Sequence, residues 1–243
     1  MADHHILADA TEVGAAAARA AVRALERALE DFGTASWVLA GGSSPAAAYR
    51  TIVREFPDAM KWSQVTFLIG DERCVPEDHS DSNWRQAREE LLDPLAVPEA
   101  SRLRPDGSVD AEAAADDYER QIAHLAGTPR GVPRLDHVWL GVGEDGHTLS
   151  LFPGHPRASD RDRLVLAVHD SPKPPPDRIT LSLKALEGTR SCIVLAAGAG
   201  KADAIGRVFR GESALPIAMA TATIEAAGGT VEWLLDESAA ARM

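Results

Sequence analysis

Cysteine is nearly absent from this chain, because its 243 residues include two, Cys74 and Cys192. Two thiols are too few for a disulfide framework or a cysteine-based metal cluster. No segment approaches the run of about 18 apolar residues that a membrane-spanning helix needs. Residues 1–14 contain neither a basic segment nor an apolar one, so no secretion signal is predicted. We therefore expect a cytoplasmic protein.

Positive charge is also scarce. The chain has 25 Lys and Arg against 37 Asp and Glu, which gives a formal charge of −12, and its basic residues are scattered. Nucleic acids are held by clustered Lys and Arg, so a nucleic-acid partner is not expected. Hydrophobic residues make up 45% of the chain, enough for a folded core. The length and the lack of a long linker predict one domain over residues 1–243. A monomer or weak homodimer is expected, although the sequence itself does not give the oligomeric state.

Helical and strand patterns alternate along the sequence. The first predicted helix begins at Asp9 or Thr11 and ends at Gly33. Other helices are predicted after residue 44 and over about 82–92, 110–125 and 201–209, and strands over 37–40, 65–69, 136–140, 164–168, 178–183, 192–197 and 231–235. This alternation is typical of an α/β fold with three layers, a mostly parallel, Rossmann-like sheet flanked by helices. Ligands of such sheets bind beyond the carboxyl ends of the strands, so the chemistry is expected in the loops there.

The loop after the first predicted strand reads Gly-Gly-Ser-Ser-Pro over residues 41–45. Glycine lets a ligand approach the backbone, Ser44 can cap the next helix, and Pro45 suits its first position. Exposed amides at a helix N-terminus bind anions, which makes Gly42 and Ser43 candidate phosphate ligands together with Ser44. A plain, well-capped turn is the alternative interpretation of the same residues.

A second glycine-rich turn, residues 198–201, also follows a predicted strand and opens a helix. Its Lys201 could reach the same anion. The turn is not a Walker P-loop, because Leu195 stands where that motif needs Gly and Ala202 where it needs Ser or Thr. Without that hydroxyl there is no obvious magnesium ligand, which argues against a nucleotide triphosphatase. A solvated surface lysine is the alternative.

The loop after the third predicted strand allows two interpretations. Residues 141–146 match the dinucleotide-binding pattern G-x-G-x-x-G, but Glu144 and Asp145 would lie beside a pyrophosphate, and Pro153 follows before a full helix could form. Acid–base chemistry fits better. Asp145 can orient or charge-stabilise the imidazole of His147, and such a pair is a usable general base. A surface histidine in a polar loop remains the alternative.

Covalent and metal-based catalysis have little support in the sequence. There is no G-x-S-x-G motif, and Cys74, next to Arg73, has no neighbouring histidine along the chain. A packed side chain is favoured for Cys74 over an oxidation-sensitive thiol. The spacing of the eight histidines matches no metal-ligand motif, so a metal site is not indicated.

Taken together, these motifs resemble the 6-phosphogluconolactonase family. They occur in the family's order over residues 39–45, 70–76, 81–83, 141–154, 178–181, 200–201 and 231–236, and the motif at 141–154 is the most specific. The resemblance implies the sugar-phosphate isomerase type of α/β fold and no metal or organic cofactor. It implies a cytoplasmic enzyme of the pentose phosphate pathway that hydrolyses 6-phospho-D-glucono-1,5-lactone to 6-phosphogluconate, with a small sugar-phosphate lactone as its ligand and no membrane or nucleic-acid partner.

The resemblance also assigns roles to residues. It implies that His147 is the general base and that Asp145 is its partner. Candidate substrate ligands carry amide, hydroxyl or charged groups and are Gly42, Ser43, Ser44, Asp71, Arg73, Arg178 and Lys201. Ser44 stands where the family often has Thr, which also supplies a hydroxyl.

Two of these roles stay open. Either Arg73 or Arg178 could add positive charge at the phosphate. Asp71 could bind sugar hydroxyls, pair with an arginine or cap the following loop. Ser82 and Asn83 are expected to cap the next helix, and Asn83 could also touch the sugar.

Two alternatives have to be weighed. Glucosamine-6-phosphate deaminases resemble this chain in their fold, phosphate loop and Asp-Gly-His motif, but they place a Glu shortly after the His. Residues 148–154 contain no carboxylate, which favours lactone hydrolysis over ring opening and amine loss. A sugar-phosphate-binding regulator on the same scaffold would keep Lys201 and lose the catalytic histidine. The presence of His147 favours an enzyme.

Overall fold

A computed structural model describes residues 3–125 and 131–243. Its helices are Ala10–Phe32 (α1), Ser43–Glu55 (α2), Asn83–Ala87 (α3), Ala111–Ala123 (α4), Leu183–Leu186 (α5), Ala202–Phe209 (α6), Pro216–Ala226 (α7) and Glu237–Ala240 (α8). Its strands are Asp3–Leu7 (β1), Ala35–Leu39 (β2), Val65–Ile69 (β3), Asp71–Arg73 (β4), Arg102–Leu103 (β5), His137–Gly141 (β6), Val165–Val168 (β7), Arg178–Leu181 (β8), Ser191–Ala196 (β9) and Thr230–Asp236 (β10). No helix within these two ranges is long and apolar enough to cross a membrane.

The main sheet confirms the predicted fold class. Among the described residues, seven strands form it in the order β1-β10-β9-β6-β2-β3-β5, and every pair is parallel. All five residues of β2 are buried, as expected for a strand covered by helices on both faces. The chain moves from β2 to β3 in one direction and later returns to place β6 on the other side of β2. The loops after β2 and β6 therefore flank the position where α/β sheets bind ligands.

A second sheet, not predicted from the sequence, lies beside the first. It has the order β4-β8-β7, and both of its pairs are antiparallel. The strand patterns at 164–168 and 178–183 are real, but they belong here and not to the parallel sheet. The physical reason is the connection, since the few residues between β7 and β8 suffice for a hairpin and not for a parallel crossover.

Gly70 joins the two sheets. Its N–H donates to the carbonyl of Leu39 in the main sheet at 2.9 Å, and its own carbonyl accepts from the N–H of Leu181 in the second sheet at 2.9 Å. A Cβ at this position would lie 2.7 Å from Cδ2 of Leu149 and 3.2 Å from the carbonyl oxygen of Leu39, so the Leu149 side chain would have to shift.

The ends of the first two helices differ in how well they were predicted. Asp9 caps α1 by accepting from two backbone N–H groups, and Gly33 ends it in the left-handed conformation with φ 74°, as expected. Helix α2 instead begins at Ser43, with Gly42 as its N-cap at φ 108° and no side-chain cap. The prediction that Ser44 caps this helix was wrong, because the left-handed turn at Gly42 starts the helix earlier.

Two elements of the main body lack a clear sequence pattern. Strand β1 is a mostly exposed edge strand, and its sequence Asp-His-His-Ile-Leu shows no apolar alternation. Helix α7 is rich in alanine and apolar on most sides, so it shows little amphipathic periodicity.

Candidate active site

His147 and Asp145 meet in the loop that follows β6. The Nδ1 atom of His147 lies 2.5 Å from Oδ1 of Asp145, and the backbone N–H of His147 donates to the same oxygen at 3.2 Å. The loop is closed by the N–H of Gly143, which donates to the carbonyl of His147 at 2.8 Å. The structure therefore brings the predicted pair together in a geometry that can hold one orientation of the imidazole.

The imidazole of His147 is held from both sides. A Cβ atom at Gly143 would overlap its ring and would approach the Asp145 carboxylate. On another side, the ring of Phe152 lies 4.8 Å away between centroids, at an angle of 42°. Gly146 adopts φ 86°, and its carbonyl accepts from the N–H of Ile217 at 3.2 Å, which anchors the loop to α7. The ring can take this position because Gly143 has no side chain where the backbone passes closest to the imidazole.

The local environment sets the protonation of the pair. Burial lowers the pKa of the His147 imidazole below its ordinary value, although Asp145 acts in the opposite direction. Partial burial raises the pKa of Asp145, but hydrogen bonds from His147 outweigh it, and the net pKa lies below the usual range. At neutral pH Asp145 is therefore ionised and must accept a proton from Nδ1. The other nitrogen, Nε2, is then the basic one.

Asp71 contacts two side chains that the sequence places far from it. Its Oδ2 accepts from the hydroxyl of Ser150 at 2.6 Å. Nδ2 of Asn83 donates to its backbone carbonyl at 2.9 Å and lies 3.5 Å from Oδ1. The backbone N–H of Ser150 also donates to the hydroxyl of Thr180 at 3.2 Å, which fastens the histidine loop to β8. Asp71 therefore lies within the same cluster as the histidine loop.

Of the two residues expected to cap α3, only Ser82 does so. The hydroxyl of Ser82 accepts from the N–H of Arg85 at 3.0 Å and caps α3, as predicted. Asn83 is the first residue of α3 and faces Asp71 instead, so its predicted capping role was wrong. Its side chain occupies the space where a Cβ on Gly41 would lie, which links α3 to the loop after β2.

Glu72 is a site residue that the sequence analysis missed. Its buried carboxylate accepts from the N–H groups of Arg73, Asn83 and Trp84 at 2.8, 2.8 and 2.7 Å and from the hydroxyl of Ser82 at 2.9 Å. Burial raises its pKa, and these hydrogen bonds act against the rise. The alternation of β4 could have revealed it, because a strand that turns Asp71 toward one face turns Glu72 toward the other.

Arg73 lies beside a cleft near the start of α2. The cleft has a volume of about 270 Å³ and includes Gly42, Asn83 and Gln86 in its wall. Nη1 of Arg73 donates to the carbonyl of Asp81 at 2.6 Å, whereas its buried Nε has no hydrogen-bond partner. The N–H of Gly42 donates to Oε1 of Gln86 at 3.0 Å, so this amide is already engaged. The amides of the first turn of α2 are better placed to meet an anion.

Lys201 lies in the turn that follows β9. Its loop is held by Asp236, whose two carboxylate oxygens each lie 3.0 Å from the N–H of Gly198. Burial lowers the pKa of the Lys201 ammonium, and its charged neighbours are Glu144, Lys173 and Asp145. Lys201 is therefore a half-buried cation within electrostatic reach of Asp145.

Arg178 is not arranged as a free phosphate ligand. It is 4% exposed, and its Nε donates to the carbonyl of Pro175 at 2.8 Å. Its Nη2 donates to the carbonyls of Lys173 and Pro174 at 3.0 and 2.9 Å. The predicted phosphate contact of Arg178 stays a prediction, but its hydrogen bonds go to the β7–β8 loop. That loop carries Lys173, a cation near the site that the sequence analysis did not single out.

Metal-ligating side chains do not converge here. Across the two described ranges, no group of three or more His, Cys, Asp or Glu residues is arranged to hold a metal ion. The side chains that do converge provide an imidazole with hydroxyl and carboxylate groups, and Lys173 and Lys201 lie within electrostatic reach of Asp145. This set is suited to binding an anionic sugar and moving a proton.

Comparison with known proteins confirms the predicted resemblance. A 6-phosphogluconolactonase from Rattus norvegicus is 41% identical over 205 residues, which cover 83% of this chain and 78% of the rat protein. A 6-phosphogluconolactonase from Mycobacterium tuberculosis is 38% identical over 98% of this chain and 97% of its own. The solved structure of 6-phosphogluconolactonase from Trypanosoma brucei superposes with a TM-score of 0.87 at 31% identity and covers 100% of this chain and 99% of that one. Residues 8–233 match the family described as glucosamine-6-phosphate isomerases/6-phosphogluconolactonase, and the chain belongs to this family.

Proposed function

We propose that this chain hydrolyses 6-phospho-D-glucono-1,5-lactone to 6-phosphogluconate, with His147 activating the attacking water. The enzyme is a lactonase, a carboxylic ester hydrolase, as its relatives indicate. The observation that carries the mechanism is the contact between Nδ1 of His147 and the ionised Asp145, which leaves Nε2 as a base. General-base catalysis by such a group contributes about 10²–10⁴-fold to a rate.

The proposed reaction has two steps. In the first, a water molecule attacks the lactone carbonyl carbon and transfers a proton to Nε2 of His147, so that a tetrahedral oxyanion and an imidazolium form together. Asp145 balances the positive charge on the ring. In the second step, the bond from that carbon to the ring oxygen breaks, and the ring oxygen takes the proton from Nε2. The product is an open-chain acid that ionises and releases one proton to the solvent.

The phosphate is assigned to the cationic side of the site. Lys201 supplies one charge, and the amides and hydroxyls of Ser43 and Ser44 supply donors at an α2 N-terminus that has no side-chain cap. Lys173 adds a second ammonium in the same electrostatic neighbourhood. Local cations and helix amides outweigh the −12 background because distant acidic groups are screened by salt. We assign Asp71 to substrate binding or orientation, held in place by Ser150.

The residues after His147 support hydrolysis over deamination. Where a deaminase places a Glu, this chain has residues 148–152, which are buried except for the half-buried Leu149; here Ser150 donates to Asp71 and Phe152 packs against the imidazole. Deamination with isomerisation needs several proton transfers, whereas lactone opening needs one group that accepts a proton and returns it. The cytoplasmic location and the weak or absent self-association stay predictions.

The test is the release of acid from freshly generated 6-phosphogluconolactone, followed at constant pH beside an enzyme-free blank. Unphosphorylated gluconolactone is the matched substrate. We expect acceleration of the phosphorylated lactone alone, and its loss in His147→Ala with the phosphate still bound. If well-folded protein gives no acceleration over the blank, the proposed function is rejected.

A further inference from the structure

The hairpin loop between β7 and β8 is built around the guanidinium of Arg178. Arg178 is the first residue of β8, and its side chain folds back beneath the loop. Three consecutive carbonyls, of Lys173, Pro174 and Pro175, accept from its Nε and Nη2 at 2.8–3.0 Å. One planar cation thus fixes three successive peptide units, which a loop of this length does not do by itself.

Other contacts brace the same loop. The hydroxyl of Ser171 donates to the carbonyl of Lys173 at 2.9 Å, and the N–H of Ser171 donates to the carbonyl of Pro176 at 3.0 Å. At the base of the hairpin, Nδ1 of His169 lies 2.7 Å from Oδ1 of Asp177. The loop is therefore held in one shape around its single lysine, Lys173.

The hairpin adjoins the loop that carries His147, because the N–H of Ser150 donates to the hydroxyl of Thr180 in β8 at 3.2 Å. Lys173 is half-buried, although the prolines on either side of it, Pro172 and Pro174, are exposed. Its charge acts on His147, Asp145 and Lys201. The charged groups that act on His147 are Asp145, Lys173 and Asp71.

We propose that Arg178 is a positioning residue for Lys173, and that by holding the three carbonyls of residues 173–175 it keeps the Lys173 ammonium near the loop that carries His147. This inference rests on the proposed function for its effect on turnover. It changes the role expected for Arg178, from a ligand of the phosphate to a group that acts through the loop.

A fixed Lys173 ammonium has two chemical consequences. A fixed cation near His147 keeps the imidazole in its basic form at lower pH, because a positive neighbour disfavours protonation. The same cation attracts the phosphorylated substrate. Loosening the loop should therefore raise the pKa of His147 and weaken turnover together, whereas general loss of packing would lower the amount of folded protein without moving that pKa.

The experiment is a double-mutant cycle with Arg178→Lys and Lys173→Ala. Lysine keeps the charge of Arg178 but cannot bridge three carbonyls. We expect each single variant to lower kcat/KM for the phosphorylated lactone by about tenfold, and the double variant to be no worse than Lys173→Ala alone. Two variants are the matched controls. Arg210→Lys changes an arginine that donates to the carbonyl of Arg242, far from the site. Lys184→Ala removes a lysine that donates to the carbonyl of Asp162.

The second readout does not depend on activity. The imidazole of His147 is titrated by NMR and identified by its absence in His147→Gln. We expect its pKa to rise in Lys173→Ala, to rise in Arg178→Lys, and to rise no further in the double variant. Additive losses of kcat/KM, or an unchanged His147 pKa in both single variants, would overturn the inference. Wild-type protein without lactonase activity would reject the proposed function and leave this titration as an independent test of the loop.

Discussion

The hydroxyl of Ser150 donates to the carboxylate of Asp71 at 2.6 Å, although 79 residues separate the two along the chain. Asp71 lies in the short antiparallel sheet, and Ser150 lies in the loop that carries His147 after the parallel sheet. The bond therefore joins the two sheets at the site itself. A hydrogen bond to a charged group typically contributes about 1.5–3 kcal/mol to stability.

Ser150→Ala should weaken both the fold and the site. The loss of this bond frees the Asp71 carboxylate, which we place in substrate binding, so KM should rise about tenfold while the free energy of unfolding falls by about 1–3 kcal/mol. Steady-state kinetics and urea unfolding measure the two effects. Ser108→Ala, which removes a hydroxyl bonded to Asp106 on the surface, is the control. An unchanged KM would separate Asp71 from substrate binding.

The pH dependence of kcat/KM should report the catalytic pair. Burial lowers the pKa of His147, so the base form persists below the ordinary histidine range, and activity should fall on the acid side only beneath about pH 6.5. Asp145→Asn removes an influence that raises this pKa, so the acid limb should move to lower pH. The maximal rate should fall by about 10²-fold, because the imidazolium loses its counter-charge. A limb that moves upward contradicts the assigned roles.

Gly143→Ala should show how strongly the rate depends on the position of the His147 ring. The new methyl group would overlap the His147 ring, so the imidazole must move, and a displacement of about 1 Å can cost 10²-fold in rate. Gly141→Ala is a matched control two residues away, because a Cβ there meets no atom within 4 Å. Rates and unfolding midpoints of the two variants are compared. Equal rates would show that the ring tolerates the displacement.

Removal of the Glu72 side chain should destabilise the protein severely. Glu72→Ala leaves three backbone N–H groups, those of Arg73, Asn83 and Trp84, without their acceptor. Each buried donor that loses its acceptor costs about 1–3 kcal/mol. The free energy of unfolding should fall by at least about 3 kcal/mol. Glu89→Ala, which removes an exposed carboxylate paired with Arg85, should change it by less than about 1 kcal/mol.

The thiol of Cys74 should be unreactive in the folded protein. Burial raises its pKa to about 12, with Asp177 and Glu72 acting in the same direction. Only about one thiol in 10⁴ is therefore ionised at pH 8, and thiolate is the reactive form. Iodoacetamide should leave activity intact, and both cysteines should react after unfolding in urea. Rapid inactivation of the native enzyme would contradict this.

The sequence predicted those parts of the site that are local in the chain. His147 and Asp145 share one loop, so the residue types and their spacing sufficed. The link between Asp71 and Ser150 depends on the docking of two sheets, which no local pattern records. The charge of Arg178 was visible in the sequence, but its hydrogen-bond partners were not. Whether this buried guanidinium meets a ligand or backbone carbonyls depends on the fold of the β7–β8 loop.

The same distinction applies to the elements of the fold. Buried strands such as β3 were predicted with their observed limits because their apolar runs are continuous. Helix α2 was displaced by two residues, because its start depends on the left-handed turn at Gly42 and not on the hydroxyl of Ser44. Strands β7 and β8 were recognised, yet their assignment to a separate sheet needed the length of the connection between them.

The two backbone bonds of Gly70 restrict how this chain can vary in length. Side chains alternate along a strand, so one residue inserted between β3 and β4 would exchange the faces of Asp71 and Glu72. The Glu72 carboxylate, which accepts backbone N–H groups in the interior, would then take the face of Asp71, and the Asp71 carboxylate would be buried without Ser150. An insertion in an exposed loop leaves both faces unchanged, whereas the short connection at Gly70 must keep its residue count for Asp71 to meet Ser150.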